Sequence, residues 1–283
     1  APVKMAMKGS LNEKGFDVAG TLGSVTQMTT PDAVYPVDLK ASAMGVVTSF
    51  AGKLGTPGGN ISANGAVKLA VASLKATLAD AAALVPALKD VPQLGADKIY
   101  LAAKVSFDGK KANLSDMLLT IGKTDLKGGV TAVLGGKPNV EATLTSALID
   151  LDELLPPSKE PAPAKKADDG RVFPADPLPL DGLKAADAKI AFDAKKIKLK
   201  GNEVNDVLLR LTLKDGNLDL APASVVVGGA KVVANVTLAG AKAVPSLKAK
   251  VDASGVDYGE ILKQQGMTDI ATGKLDAAID VSG

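Results

Sequence analysis

The chain has 283 residues, of which 33 are basic and 31 acidic, and it contains no His and no Cys. This composition excludes sites built on imidazole or thiolate, which are the commonest general bases, metal ligands and nucleophiles. The charge is too evenly balanced for a nucleic-acid-binding protein, which needs a clustered excess of Lys and Arg. We therefore expect no enzyme, no cofactor, no metal site and no nucleic-acid partner.

Apolar and polar residues alternate with a period of two through most of the chain, which predicts half-buried β-strands. In chain order, the apolar positions of the clearest strands are Val3, Met5 and Met7; Phe16, Val18 and Leu22; Tyr35, Val37 and Leu39; Ile99, Leu101, Ala103, Val105 and Phe107; Val207, Leu209, Leu211 and Leu213; Val232, Ala234, Val236 and Leu238; and Leu275, Ala277, Ile279 and Val281. Asp-Gly or Gly-Gly pairs at 108–109, 135–136, 215–216 and 228–229 are typical of hairpin turns. The pattern predicts an antiparallel sheet of about twelve strands, which we expect to curl because strand twist accumulates.

A short strand followed by a short leucine-rich helix occurs three times, which indicates one local unit copied along an extended sheet. The three predicted strands cover 71–80, 138–144 and 244–253, and the three predicted helices cover 81–88, 149–155 and 256–262. In the first copy we expect Asp80 to cap the helix and Pro86 to interrupt it. These short helices are expected to cover an edge or an end of the sheet.

Residues 156–179 contain seven prolines and are predicted to be a linker. The linker divides the chain into an N-terminal β half at 1–155 and a C-terminal β half at 180–283. Because the chain begins and ends in strand-like sequence, we expect it to be a fragment of a longer protein.

Two clusters could in principle bind a ligand. The glycine-rich segment 52–59 lacks the Gly-Lys-Ser/Thr ending of a phosphate loop and precedes a strand, so it is interpreted as a flexible loop. Asp150, Asp152 and Glu153 could hold a hard cation, but at the start of a short helix we expect them to complement its positive end.

Lys195, Lys196, Lys198 and Lys200 form a basic strip with two interpretations. The strip could meet anionic lipid headgroups, or it could be a solvated strand face. We favour the solvated face.

One face of the predicted sheet is apolar, and that face has to be covered. Only 3% of the residues are aromatic, which disfavours a tightly self-filled core. No long helix is predicted that could cover the sheet, so lipid acyl chains are the natural filling. Transferring a CH₂ group from water to an apolar lining is worth ~0.8 kcal/mol, so a ~16-carbon chain gains on the order of 12 kcal/mol.

The sequence thus predicts an all-β fold with minor α content, in which an elongated, curled antiparallel sheet forms a gutter. The gutter has an apolar concave face, and short helices lie at its edges or ends. The candidate lipid-binding residues are Leu101, Val105, Val207, Leu209, Leu211, Leu213, Val232, Val236, Leu238, Leu247, Val251, Leu275 and Ile279.

The C-terminal half carries a recognisable order of elements. It begins with a proline-leucine entry at 173–183, which reads Phe-Pro-Ala-Asp-Pro-Leu-Pro-Leu-Asp-Gly-Leu, and a strand at 186–192. It continues through the strands paired around Asp215-Gly216, the Gly228-Gly229 turn with its flanking strands, and the strand-helix unit that contains Tyr258 to Leu262. This order resembles a domain of the AsmA family. The resemblance covers 173–283 well and 1–155 more loosely, through the repeated unit.

This resemblance implies a periplasmic protein of Gram-negative bacteria, held in the inner membrane by an N-terminal helix that the present chain lacks. It also implies phospholipid transfer and outer-membrane biogenesis, as in the bridge-like lipid-transfer proteins. The expected partners are phospholipid or another acyl lipid, the inner membrane through the anchor, and other envelope proteins. The family has no catalytic motif.

Three functions remain in view at this point. The first is a lipid-binding and lipid-transfer module between the inner and outer membranes. The second is a non-catalytic structural or assembly scaffold of the envelope with a self-packed β core. The third is a glycosidase with paired carboxylates, which the scarcity of aromatic residues disfavours.

Overall fold

The computed structural model describes residues 1–85, 95–155, 180–242, 244–257 and 273–283. The predicted linker at 156–179, the predicted helix break at Pro86 and most of the predicted helix at 256–262 lie outside these residues. The division of the chain into two halves at that linker stays a prediction.

The described residues form one sheet of sixteen strands. The strands are β1 Val3–Leu11, β2 Lys14–Leu22, β3 Val34–Ala43, β4 Val46–Gly55, β5 Ser62–Val71, β6 Ile99–Phe107, β7 Lys111–Ile121, β8 Thr124–Val133, β9 Asn139–Ser146, β10 Ile149–Asp150, β11 Asp187–Leu199, β12 Asn202–Lys214, β13 Asn217–Val227, β14 Ala230–Ala239, β15 Ser246–Asp257 and β16 Lys274–Ser282. The helices are α1 Val25–Thr29, α2 Leu74–Leu84 and α3 Leu151–Leu154, with 3-10 turns at Pro57–Gly59 and Leu180–Lys184. The predicted all-β class with minor α content is confirmed.

Neighbours in sequence are neighbours in the sheet, from β1 to β9 and again from β11 to β16. Every one of these pairs is antiparallel, as expected. The exception is the junction, where β9 pairs in parallel with β11 over eight residue pairs and the two-residue β10 pairs in parallel with β11. The strands of both predicted halves therefore belong to a single sheet.

Two-residue turns join several neighbouring strands of the sheet. The predicted turns at Asp215-Gly216 and Gly228-Gly229 are present, and both residues of each turn have positive φ. Asn12-Glu13 forms the same kind of turn, with φ values of 50° and 65°, although it carries no glycine. The sheet has sixteen strands, so the prediction of about twelve strands was too low.

The sheet is long and uncurled, so the predicted curl into a gutter with an apolar concave face is wrong. The physical reason lies in its proportions. Fifteen strands follow one another along the main path, but each strand has only 8 to 13 residues. In such a narrow ribbon, the twist between neighbouring strands can turn the ribbon about its long axis without bringing the opposite ends of the strands towards each other.

The first copy of the predicted repeat is also wrong, because most of its strand at 71–80 is helix α2. Ser73 caps this helix by accepting a hydrogen bond from the backbone N–H of Ala76 at 3.2 Å. Asp97 accepts two more hydrogen bonds at the same end, from the N–H of Lys75 at 2.9 Å and from the Ser73 hydroxyl at 3.0 Å. The run of Leu and Ala suits a helix as well as the predicted alternation. Asp80, the predicted cap, instead forms an ion pair with Lys14 at 2.8 Å.

The glycine-rich segment 52–59 is a loop only in its second part. Strand β4 continues to Gly55, and Gly52 lies directly opposite Gly65 of β5. A Cβ atom on Gly52 would meet the carbonyl oxygen of Asn64 at 2.2 Å. Glycine is therefore needed here for close approach of two strands and not for phosphate binding.

Side-chain contacts hold the β9–β11 junction at both ends of its strands. At the end next to α2 and α3, Asp152 accepts hydrogen bonds from the backbone N–H groups of Lys200 and Gly201, the latter at 3.0 Å; we call this contact the Asp152 clamp. At the opposite end of the strands, the ammonium group of Lys137 contacts Asp187 and lies 2.9 Å from Asp215. These contacts hold the parallel pair in register at both ends.

Candidate functional site

The register of the strands generates one continuous apolar face. A row of direct neighbours crosses all fifteen strands of the main path without a break. It consists of Val3, Leu22, Val37, Gly52, Gly65, Val105, Leu114, Val130, Ala142, Ile190, Leu211, Leu220, Val236, Ala249 and Val281. Directly opposite residues share a face of a sheet, so this row defines what we call the apolar face; the other side is the polar face.

All thirteen candidate lipid-binding residues lie on the apolar face. Leu101 and Val105 belong to β6, and Val207, Leu209, Leu211 and Leu213 belong to β12. The remaining seven lie on the last three strands: Val232, Val236 and Leu238 on β14, Leu247 and Val251 on β15, and Leu275 and Ile279 on β16. Eleven of the thirteen are half-buried, and the two on β16 are exposed. The structure brings them onto one surface; that this surface binds lipid remains a proposal.

No second layer covers the apolar face in the part of the chain that the structure describes. None of the large side chains there is fully buried, and the buried apolar residues are Val37, Val71, Ala82, Ala96, Ala103, Ala194 and Ala230. Apart from strand neighbours, the principal contacts are those of α1 with β3, α3 with β11, β10 with β8 and the 3-10 turn at Leu180–Lys184 with β13. The helices therefore border the sheet and leave the apolar face open, which disfavours a dry, self-packed scaffold.

The polar face carries ion pairs that suit exposure to water. Arg210 binds Asp193 with both ends of its guanidinium group, at 2.6 and 3.1 Å. The hydrogen bond from Arg210 lowers the pKa of Asp193, and the reciprocal bond raises the pKa of Arg210. Lys104 lies 2.7 Å from Asp116, whose hydrogen bond raises the pKa of Lys104. The sheet is thus amphipathic, with charge on one side and aliphatic groups on the other.

A shallow recess of about 230 Å³ lies on the polar face, around Glu141, Lys189 and Arg210. Charged groups of both signs line it, so it is unsuited to an acyl chain. Another recess, around Asn64, Lys104 and Ser106, is also on that face. Both recesses therefore lie outside the apolar face that forms the candidate site.

The acidic cluster at the start of α3 is occupied by hydrogen bonds within the protein. Asp150 caps the helix by accepting from the N–H of Glu153 at 3.1 Å. Glu153 in turn accepts from the N–H of Lys123 at 2.9 Å. Asp152 holds the Lys200–Gly201 turn, as described above. As expected, these carboxylates lie at the positive end of a short helix.

The basic strip lies at the C-terminal end of β11, and the charge of two of its lysines is partly neutralised by a glutamate on the neighbouring strand β12. Lys196 lies 2.6 Å from Glu203, and Lys198 lies 3.5 Å from the same carboxylate. Hydrogen bonding to Lys196 lowers the pKa of Glu203. This pairing agrees with the interpretation of the strip as a solvated strand face.

The thirteen candidate lipid-binding residues leave out several bulky members of the apolar face. Phe16, which the sequence did place on the apolar side of a strand, lies on this face together with Phe50, Leu69 and Leu119 in the first half of the chain and Phe192 in β11. The signal for them was the same alternation that identified the other residues.

Among the described residues, no helix is both long and apolar enough to cross a membrane.

Comparison with known proteins agrees with this architecture. The sequence profile of the AsmA family matches residues 47–283. Protein AsmA of Escherichia coli (strain K12) is 25% identical over 185 residues, which is 62% of this chain and 30% of that protein. The match thus spans about a third of the length of this relative. No solved structure shows a significant match. Because the family profile covers most of the chain, the chain belongs to the AsmA family.

Proposed function

We propose that the chain binds acyl chains of phospholipid or a similar lipid on its apolar face and serves lipid transfer between the inner and outer membranes. In this proposal the lipid is moved without chemical change, so no catalysis is involved. Membership of the AsmA family supports a role in the cell envelope. We propose that the chain lies in the periplasm. Any anchor in the inner membrane would then belong to a part of the protein outside these 283 residues. This location and the role in outer-membrane biogenesis belong to the proposal.

The unbroken apolar row is the observation that carries the proposal. It crosses fifteen strands, which at a spacing of ~4.8 Å corresponds to a surface roughly 67 Å long. A bilayer with its headgroups is ~40–45 Å thick. An apolar surface longer than a bilayer suits movement of a lipid along it better than storage of one molecule.

The openness of the face sets the expected strength of binding. Full burial of a ~16-carbon chain is worth on the order of 12 kcal/mol. A flat face contacts about half of that chain, so the gain falls to roughly 6 kcal/mol, which corresponds to weak, micromolar-to-millimolar binding. Weak binding allows a lipid to move along the surface, and two acyl chains side by side would gain further by covering each other.

A matched pair of substitutions on β14 tests the proposal. Val236 lies on the apolar face, and its neighbour Thr237 points to the polar face, between Asp219 of β13 and Lys248 of β15. We expect Val236→Asp to weaken binding of a fluorescent long-chain phospholipid about tenfold or more, because the carboxylate has to be desolvated beneath the acyl chain. Thr237→Asp should bind like the unmodified chain. Equal binding by both variants, with unchanged circular dichroism, would contradict the proposal.

A further inference from the structure

A third recess on the polar face lies at the ends of four neighbouring strands, where β4 and β6 end and β5 and β7 begin. It has a volume of about 310 Å³. Its floor consists of the short side chains of Ser62, Asn64 and Ser106 on the two middle strands. The longer side chains of Lys53 on β4 and Lys111 on β7 lie on either side of this floor. Short side chains between two long ones account for the concave shape.

The donor groups of this recess are free to bind a ligand. Within the residues that the structure describes, no hydrogen bond or ion pair engages the polar groups of four of its side chains: Lys53, Lys111, Asn64 and Ser106. The neighbouring recess differs, because Lys104 is paired there with Asp116 at 2.7 Å. The third recess thus presents ammonium, amide and hydroxyl donors that no other group of the described chain uses.

One carboxylate also lines the recess, and it is already engaged by the backbone. Asp108 accepts hydrogen bonds from the N–H groups of Lys110 and Lys111, at 3.0 and 2.7 Å. These bonds, that from Lys111 most, lower the pKa of Asp108, so its side chain is ionised at neutral pH. Two lysines and one aspartate leave the recess with a net positive charge. It therefore suits an anionic ligand.

We propose that this recess binds a phosphate group between the ammonium groups of Lys53 and Lys111, above the amide of Asn64. The strands that carry the two lysines are three strand spacings apart, or ~14 Å. The flexible four-carbon stems of the lysines reach inward from both sides, so that both charges meet one ligand. A phosphate monoester carries about −1.5 to −2 charge at pH 7 and has three acceptor oxygens, which matches two ammonium groups and an amide donor.

The position of the recess allows two sources for the phosphate. Leu54 follows Lys53 in β4 and lies on the apolar face, opposite Tyr35 and Ala63. A phospholipid with its acyl chains on that face at Leu54 can reach round the strand ends with its headgroup. A soluble phosphate ester can bind from the polar side instead. The phosphate site does not rest on the proposed binding of acyl chains, so each proposal can fail without the other.

Titration of the 283-residue chain with glycerol 3-phosphate, followed by NMR, tests the site. We expect saturable shifts at the amides of residues 53, 64, 106 and 111, and none with glycerol at the same ionic strength. Lys53→Gln and Lys111→Gln should each weaken binding several-fold, because each removes one of the two charges. Lys68→Gln is the matched control, since Lys68 lies on the polar face of β5 outside the recess. Absence of saturable shifts, or equal weakening by Lys68→Gln, would overturn the proposal.

Asp108→Asn provides a test in the opposite direction. The asparagine side chain can accept the same backbone hydrogen bonds and keep the turn, while the one negative charge of the recess is lost. We expect glycerol 3-phosphate to bind several-fold more tightly to this variant, a gain that misfolding does not produce. Unchanged or weaker binding would contradict the proposed electrostatic basis of the site.

Dihexanoyl phosphatidic acid, used below the concentration at which it forms micelles, separates the two sources of the phosphate. If a lipid supplies the phosphate, this probe binds several-fold more tightly than glycerol 3-phosphate, and Leu54→Asn removes the difference. Equal affinity of the two probes assigns the site to a soluble phosphate ester. Both results retain the phosphate site. Binding of both probes that persists when Lys53→Gln and Lys111→Gln are combined would overturn it.

Discussion

Phe192 of β11 lies directly opposite Leu144 of β9 in the parallel pair that joins the two parts of the sheet. Both side chains are on the apolar face, and Leu209 of β12 continues the row. The apolar face therefore passes through the junction without interruption. A parallel pair requires a crossover connection between its strands, so nothing in the local sequence specifies this contact.

We expect Phe192→Ala to destabilise the junction by roughly 1–3 kcal/mol, because the ring is half-buried and its loss removes apolar contacts across the parallel pair. Urea unfolding followed by circular dichroism measures the effect. Lys189→Ala is the control on the same strand, since Lys189 is exposed on the polar face. A destabilisation by Lys189→Ala as large as that by Phe192→Ala would show that the apolar contact is unimportant.

The Asp152 clamp is expected to slow hydrogen exchange at the backbone amides that it binds. Asp152→Ala removes the acceptor of the backbone N–H groups of Lys200 and Gly201. We expect hydrogen exchange at these two amides to accelerate several-fold, because their turn loses its attachment to α3. The turn at Met44-Gly45 lies far away and should exchange as before. Protection that persists at Lys200 and Gly201 would contradict the clamp.

The Lys137–Asp187 contact makes the junction sensitive to acid. The side-chain hydrogen bond from Lys137 lowers the pKa of Asp187 below its ordinary value of 3.8, and the N–H of Asp215 lowers it further. The folded state thus binds fewer protons than the unfolded state near pH 4. The stabilisation is fully present above the unfolded pKa and disappears as the pH falls through the folded pKa.

A pH series with Asp187→Asn tests this linkage. The variant should melt at a lower temperature than the unmodified chain at neutral pH, and the difference should vanish at strongly acidic pH, where Asp187 is protonated. The pKa of Lys137 is raised above 10.5 by the same contact, so alkaline loss is expected only above that value. A difference in melting temperature that does not depend on pH would exclude the ion pair as its source.

The cap of α2 gives a fourth prediction. Ser73→Ala removes the side-chain acceptor at the N-terminus of the helix, which typically costs about 1 kcal/mol. We expect faster exchange in α2 and a weaker contact between Thr77 and the carbonyl of Met44, now 2.8 Å. Ser73→Thr should restore protection, because a threonine hydroxyl both caps the helix and can donate to Asp97 as the serine does. Failure of Ser73→Thr to do so would locate the effect elsewhere.

Local periodicity was enough to predict which residues share a face. The alternation in β6, β12 and β14 placed Leu101, Leu211 and Val236 on one surface, and the strand register agrees. Hairpin connections made this possible, because a two-residue turn links strand order to sequence order. The turn at Asp215-Gly216 is an example.

Other features depend on information that a local pattern does not contain. The pairing of β9 with β11 joins residues far apart in sequence. Helix α2 was mistaken for a strand because its run of Leu and Ala suits both structures. Part of the hydrogen bonding at its N-terminus comes from Asp97, which is 24 residues from Ser73 in the sequence. The absence of curl follows from the proportions of the whole sheet, which no single strand reveals.

Native mass spectrometry of the purified chain, with organic extraction of bound material, tests the central claim most directly. We predict that phospholipid co-purifies at one or more copies per chain, and that Leu211→Asp, on the apolar face, lowers this load. A lipid-free mass that stays unchanged after incubation with phospholipid vesicles would contradict the claim that the apolar face binds acyl chains.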